Sequence, residues 1–370
     1  MEKIFQKPSF KKFDYLTFIL VMFLVIFGCV MVYSASYYSA EHQIGDKYFY
    51  LKKQILGVVI GFVGMIFFSC INYKFYLKLK WPAFILGLAL LVLVFVPGVS
   101  RSAYGARRWI NLGAFTLQAS ELAKFTFVLF ASVSLYQNRQ RAKSWRGILP
   151  TVLAGGITCA LVILEPNMSI TVCIGIVMLA MLFVGGARFK HFVILAIPVI
   201  LAIPVLIILE PYRLQRLSAF LDPWASPLGE GYQLIQSLYA LGNGGFFGVG
   251  LFNSVQKYMF LPFAESDFIL SIIGEEFGFF GIIGLAIIYL ILICRCISTG
   301  MHADSRFGTY LCTGIAMVIA VQLLVNMAVV SGSIPPTGLP LPFISAGSTS
   351  LVVFMSAVGV VLNISKQSRV

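Results

Sequence analysis

Long apolar runs broken by short polar connections make up most of this chain, and one connection is far longer than the rest. Read in order, the runs place membrane spans at 14–36, 53–71, 82–98, 118–136, 148–164, 168–186, 191–209, 268–293, 307–330 and 343–364. Each is close to the roughly 20 apolar residues that a helix needs to cross hydrocarbon about 30 Å thick. The first run, Tyr15 to Ser36, exceeds the apolar core of a cleaved signal peptide, about 7 to 15 residues, and reads as a retained transmembrane helix. The long connection, 211–267, holds two amphipathic pieces, Tyr212 to Leu221 and Tyr232 to Leu241, separated by DPWASPLGEG and expected to lie on the bilayer surface.

Composition agrees with this pattern. Hydrophobic residues are 59% of the chain and charged residues 11%, which excludes a soluble domain of this length. The expected fold is all-α: a polytopic integral membrane protein of about ten transmembrane helices, with a long extracytoplasmic loop between helices 7 and 8. The organisation is a basic tail at 1–13, one membrane domain at 14–365 and a short tail at 366–370. No internal repeat stands out.

The net charge of +13 has no soluble basic domain or arm to carry it, so nucleic acid is not a partner. The charge is topological instead. With the N-terminus in the cytoplasm, 17 of the 27 Lys and Arg fall on that side and 9 on the other, counting Lys53 at the outer start of its span, with Lys124 inside a span. The positive-inside rule then puts both termini in the cytoplasm and the long loop outside. Seven scattered cysteines and three scattered histidines give neither a disulfide framework nor zinc-type spacing, so no metal site is expected.

Polar chemistry concentrates on the outer side. GVSRSAYGARRWINLGAFTLQASELAKF brings Arg107, Arg108 and Trp109 to the outer leaflet, types that suit diphosphate oxygens and a sugar face, or equally an interfacial anchor. Ser120, Glu121 and Lys124 follow inside a span. Glu121 and Lys124, three apart, share a helix face, and each must meet protein or water, either as a structural ion pair or as cavity lining. Glu165 and Asn167 sit at the next outer turn and could complete one polar cleft with them.

Within the long loop the carboxylates are Asp222, Glu230, Glu265 and Asp267. Asp267 directly precedes an apolar run and reads either as a helix N-cap or as a base. Glu275 and Glu276, two turns further, read as buried structural acids. GNGGFFGVG lacks the lysine and the strand-turn-helix setting of a phosphate loop, so its glycines point to close backbone packing. The last outer connection, SGSIPPTGLPLPFISAGSTS, is irregular backbone that must be covered by protein, and it is expected to cap the same cleft.

Taken together the strings GARRWINLG, QASELAK, EPNMS, YRLQRLSAFLDP, GYQLIQSLYALGNGGFFGVGL, LPFAESDFILSIIGEEFG and IPPTGLPLPFISAGSTSL resemble the SEDS (shape, elongation, division and sporulation) proteins. These are the FtsW/RodA group of bacterial cell-wall polymerases, and the wording is closer to the division and sporulation branch. The resemblance implies ten transmembrane helices and a peptidoglycan glycosyltransferase acting on lipid II at the outer face of the cytoplasmic membrane. It implies that Asp267 is the catalytic carboxylate. Substrate contacts are expected at Arg107, Arg108, Trp109, Arg213, Arg216, Gln233, Gln236 and Glu265, and a central cavity at Ser120, Glu121, Lys124, Asn167 and Ser345.

The implied partners are lipid II, a class B penicillin-binding protein transpeptidase, membrane lipids and other divisome or elongation proteins. No cofactor is bound by a protein metal site, although a divalent cation such as Mg or Mn could accompany the substrate diphosphate. The competing reading is a lipid II flippase or transporter. Four positions depart from the family pattern: Ala119 for Pro, Asn167 for Asp, Phe263 for Glu, and Glu265 for His or Gln.

Overall fold

The computed structural model describes residues 13–96, 100–103, 106–111, 116–208 and 211–368. The first seven predicted spans correspond to α1 (Tyr15–Ile44), α2 (Phe49–Cys70), α3 (Lys80–Leu93), α4 (Ala119–Gln137), α5 (Trp145–Leu164), α6 (Met168–Val184) and α7 (Phe189–Ile208). Between these and the last three spans, α8 (Pro211–Leu221) and α9 (Tyr232–Gly244) are the amphipathic pieces. The chain then continues as α10 (Ile269–Met301), α11 (Arg306–Val330) and α12 (Ser348–Lys366). Among the described residues eight helices are long and apolar enough to cross a membrane, α3 being counted with the turn before it as Tyr73–Leu93, and α6 and the Phe189–Ala202 part of α7 are shorter apolar helices. The protein is a multi-pass membrane protein.

α4, α11 and α12 form the centre of the bundle, with most of their side chains buried. α12 lies tight against α2, where a Cβ on Gly57, Gly61 or Gly64 would come within 3.1, 2.7 and 2.5 Å of α12 atoms. Small residues in such rows let helix backbones approach where no hydrophobic force separates protein from lipid. At the start of α1, Asp14 accepts from the Thr17 amide and hydroxyl and pairs with Arg295 of α10 at 3.1 Å.

The connection between α3 and α4 contains a small antiparallel sheet, β1 (Ser100–Ala103), β2 (Ala106–Asn111) and β3 (Thr116–Gln118), in that order. Trp109 pairs with Arg101 on one side and Gln118 on the other. Thr349, in the first turn of α12, donates to the Thr116 carbonyl and accepts from the Gln118 amide, which fixes the sheet to the bundle.

The long connection does not simply rest on a bilayer surface. α9 buries Leu234, Ile235, Ser237 and Ala240, and the Ser237 hydroxyl contacts Ser271 Oγ and donates to the Val330 carbonyl, both at 2.8 Å, tying α9 to α10 and the end of α11. Beyond α9 the glycine-rich stretch runs along a break in α10 at Gly278, whose φ is 68°. There the amides of Phe279 and Phe280 donate to the carbonyls of Gly245 and Phe246, and those of Val249 and Gly250 to Glu275 and Glu276. A Cβ on Gly248 would lie 2.2 Å from the Glu276 carbonyl, so no side chain fits, and the backbone-packing reading of those glycines is what is found.

Glu275 accepts from Ser254 Oγ and from the amides of Val255 and Gln256. Glu276 pairs with Lys257 at 3.0 Å and accepts from Ser34 Oγ. Both acids are buried, and both pin the loop to the bundle, as charges at that depth require.

Candidate active site around Asp267

Asp267 is not a helix cap. α10 begins at Ile269 with Phe268 in the capping position, and no side chain closes that end. The carboxylate is therefore available for other work. Its main chain is held from α11 by Asn326, whose amide donates to the Asp267 carbonyl at 2.9 Å and to that of Leu339 at 2.8 Å. Ser345 donates to the neighbouring Ser266 carbonyl and accepts from the Leu341 amide, so it braces this segment rather than the Lys124 region. A Cβ on Gly338 would sit 3.2 Å from Asp267 Oδ2, so a glycine there leaves room beside the carboxylate.

Arg216 of α8 donates to the Pro336 carbonyl at 2.9 Å, two residues before Gly338. α8, the residues before α10, α11 and the irregular 331–347 segment thus converge on Asp267, so that last connection lies over Asp267 and not over a cleft shared with Glu121 and Lys124. Burial pushes the Asp267 carboxyl up to about 6, with Arg216 opposing the rise, Glu265 adding to it and Arg108 opposing it again. Burial also raises Glu265, against a hydrogen bond from Tyr50. A carboxylate that holds its proton only weakly near neutrality is suited to accept one from a hydroxyl.

Arg108 reaches from β2 to the turn between α5 and α6, where its Nε donates to the Glu165 carbonyl at 3.3 Å and its Nη2 to the Pro166 carbonyl. The Glu165 side chain is fully buried, and neither oxygen has a hydrogen-bond partner. Burial lifts it to about 8, the Arg108 guanidinium opposing. Glu165 thus belongs electrostatically with Arg108, and not with Glu121 and Lys124.

Trp109 is half-buried in β2 beside Arg108. Gln233 donates to the Pro262 carbonyl at 3.2 Å and so holds the segment leading to Asp267. Gln236, half-buried, is on the same face of α9 one turn later. The side chains of Arg107 and Arg213 lie outside those the structure describes.

The second polar group is separate and closed. Lys124 Nζ pairs with Glu121 Oε1 at 2.8 Å and donates to Gln322 Oε1 at 2.9 Å, all three side chains buried. The adjoining void, walled by Phe127, Cys173, Ile174, Val177 and Val318, has essentially no room for water. Of the predicted cavity group, Ser120 is buried with its hydroxyl unpartnered. Asn167 is turned to other work: its Oδ1 accepts from the Ile170 amide and caps α6. The single polar cleft joining Glu165 and Asn167 to the Glu121 and Lys124 pair is not found. Local capping takes the Asn167 side chain, and Arg108 the neighbourhood of Glu165.

Sequence reasoning missed Gln322, Asn326 and Tyr50. The first two carried a signal: amides four residues apart inside an apolar span share a face and require partners. Among the described residues no three His, Cys, Asp or Glu side chains converge as a metal site would require.

The profile of the FtsW, RodA and SpoVE family, described as a cell cycle protein family, matches residues 14–370. A relative named "Probable peptidoglycan glycosyltransferase FtsW" from Geobacter sp. (strain M18) is 39% identical, the match covering 96% of this chain and 98% of the relative. Stage V sporulation protein E of Bacillus subtilis (strain 168) is 38% identical over the same shares. Among solved structures, a chain of a peptidoglycan synthase complex that coordinates polymerization and crosslinking superposes with a TM-score of 0.80 at 28% identity, covering 96% of this chain and 98% of that one. The rod shape determining protein RodA of Thermus thermophilus shares the fold, with a TM-score of 0.72 at 24% identity, over 98% of this chain and 100% of that one.

Proposed function

The chain belongs to the FtsW, RodA and SpoVE family, and from that premise we infer that it is a peptidoglycan glycosyltransferase whose base is Asp267. The observation that carries the assignment of the base is the freedom of its carboxylate. It closes no helix end and is lifted to about 6 in a site where Arg216 and Arg108 both bear on it.

In the reaction, Asp267 takes the proton from the 4-hydroxyl of the acceptor sugar as that oxygen attacks the anomeric carbon of the lipid-linked donor. The bond from that carbon to the diphosphate breaks, and the diphosphate leaves with the electron pair. Arg108 and Arg216 stand where they can neutralise it, with Arg107 and Arg213 in the same stretches of sequence. Trp109 supplies a ring for a sugar face, and Gln233, Gln236 and Glu265 complete the polar lining. A divalent cation, if used, arrives with the diphosphate, since the described residues offer it carboxylates but no three-ligand cage.

The substrate is lipid II and the site faces outward across the bacterial cytoplasmic membrane, with both termini inside. The distribution of Lys and Arg supports that orientation. A class B transpeptidase is the proposed partner, supported by the likeness to a chain of a complex that couples polymerization to crosslinking. Transport of the same lipid drew on Glu121, Lys124, Glu275 and Glu276, and each of these is engaged by protein partners. The direct test is glycan synthesis from lipid II by the purified chain and its partner in detergent, where there are no compartments to cross. Polymer formed there requires an enzyme; its absence, with translocation retained in vesicles, would favour transport.

A further inference from the structure

A second polar concavity lies at the end of the bundle remote from Asp267. α4 begins at the sheet beside the active site and α6 at the turn contacted by Arg108, so the connections after these two helices emerge at the opposite end. Between them is a cavity of about 380 Å³. Arg141 and Lys143 line it from the α4–α5 connection, Arg188 and Lys190 from the α6–α7 side, and Trp145 and His191 form its floor. The four cations are exposed, and among the described residues none has a carboxylate partner.

The floor is ordered by contacts of its own. The indole of Trp145 meets the His191 ring edge-on, with centroids 4.7 Å apart. The Arg188 amide donates to His191 Nδ1 at 3.2 Å, so a neutral ring carries its proton on Nε2 and adds a donor. Gly147 holds the Arg141 turn in place, because a Cβ there would lie 2.1 Å from the Arg141 carbonyl.

The position of the concavity at the helix starts selects the ligand. α5 starts at Trp145 and α7 at Phe189, so the cations stand where spans leave the hydrocarbon. Phe183 and Phe189, 74% and 82% exposed, flank them with apolar surface that a soluble anion would not need. We propose that this pocket binds the phosphodiester headgroup of an anionic phospholipid, with the acyl chains on the neighbouring aromatic surface. A scattered set of positive charges would serve insertion alone. An open concavity that gathers four cations without carboxylate partners over two aromatic rings has the chemistry of basic headgroup sites between transmembrane helices.

The full chain, purified in neutral detergent, is titrated with dioleoyl phosphatidylglycerol, dioleoyl phosphatidylcholine, inorganic phosphate and hexaglutamate while its thermal unfolding is followed. Phosphatidylglycerol raises the midpoint saturably and the other three do not. The variant Arg188→Gln/Lys190→Gln melts like the parent without lipid and binds phosphatidylglycerol at least about tenfold more weakly. If that variant folds poorly, Arg141→Gln/Lys143→Gln carries the same expectation from the other wall, and native mass spectrometry counts retained lipid in either. Equal shifts with phosphatidylcholine, or undiminished binding in the variants, overturn the proposal. A match by phosphate alone would make the ligand a free anion, and a match by hexaglutamate an acidic protein segment; each also overturns it.

Discussion

Asn326 holds Asp267 by its main chain: the amide on α11 donates to the Asp267 carbonyl at 2.9 Å and to the Leu339 carbonyl at 2.8 Å. One turn earlier on the same helix, Gln322 accepts from Lys124. A single face of α11 thus touches both the Asp267 segment and the Lys124 group, and it sets the candidate base in register with the segment that covers it.

Asn326→Leu removes both donations and leaves two carbonyls without them. Each such hydrogen bond contributes about 0.5–1.5 kcal/mol, so the variant should melt lower than the parent. Because the carboxylate would lose its fixed position, polymerisation should slow at least several-fold, more in kcat than in KM. Unchanged kcat in a variant that melts lower would make Asn326 a brace for the fold and nothing more.

Glu165 is predicted to be neutral at work. Its folded pKa, about 8, is above the ordinary carboxyl value. The stability it contributes is therefore full below that ordinary value and lost as pH rises through about 8. The melting temperature of the parent should fall between pH 5 and pH 8.5 relative to Glu165→Gln, whose amide does not titrate. Parallel melting curves across that range would show that the carboxyl is ionised throughout.

The pattern of apolar runs made the helices legible, including both amphipathic pieces, because spans and half-buried helices have a long periodic signal. The sheet was not legible. Strands of three to six residues, such as Thr116–Gln118, leave no periodicity to read. Within the site, Glu275 and Glu276 announced buried partners by their depth, and Glu121 and Lys124 announced each other by their spacing. Asp267 read equally as a cap because the choice depends on local backbone: Phe268 takes the capping position, and no residue type in the sequence reveals that. The bonds from Tyr50 to Glu265 and from Arg216 to Pro336 join residues distant in sequence, which one chain read alone cannot pair.

Lys124→Ala should harm folding more than the double change with Glu121→Ala. The single change strands a buried carboxylate with no cation, a loss of about 3–5 kcal/mol in comparable pairs, whereas the double change leaves no charge behind. Gln322, which also meets Lys124, remains in both. Folded yield and melting temperature in detergent would separate the cases, and strictly additive losses would argue against coupling.

With Asp267 as the proposed base, its ionised form is the active one, and polymerisation should be level above pH 7 and fall as pH drops through about 6. Arg216 lowers this pKa and Glu265 raises it. Arg216→Gln should move the acid limb to higher pH and Glu265→Gln should move it to lower pH. A limb that ignores both substitutions would belong to some other group.

The most direct measurement is the rate of lipid II polymerisation by Asp267→Asn, purified with the proposed transpeptidase partner. The substitution keeps size and keeps the main-chain carbonyl that Asn326 holds, so insertion, melting temperature and partner binding should match the parent. An amide cannot take the proton of the acceptor hydroxyl, and a positioned base contributes roughly 10² to 10⁴-fold in rate. The rate should therefore fall at least about a hundredfold. A folded Asn protein that polymerises within a few-fold of the parent would contradict Asp267 as the base.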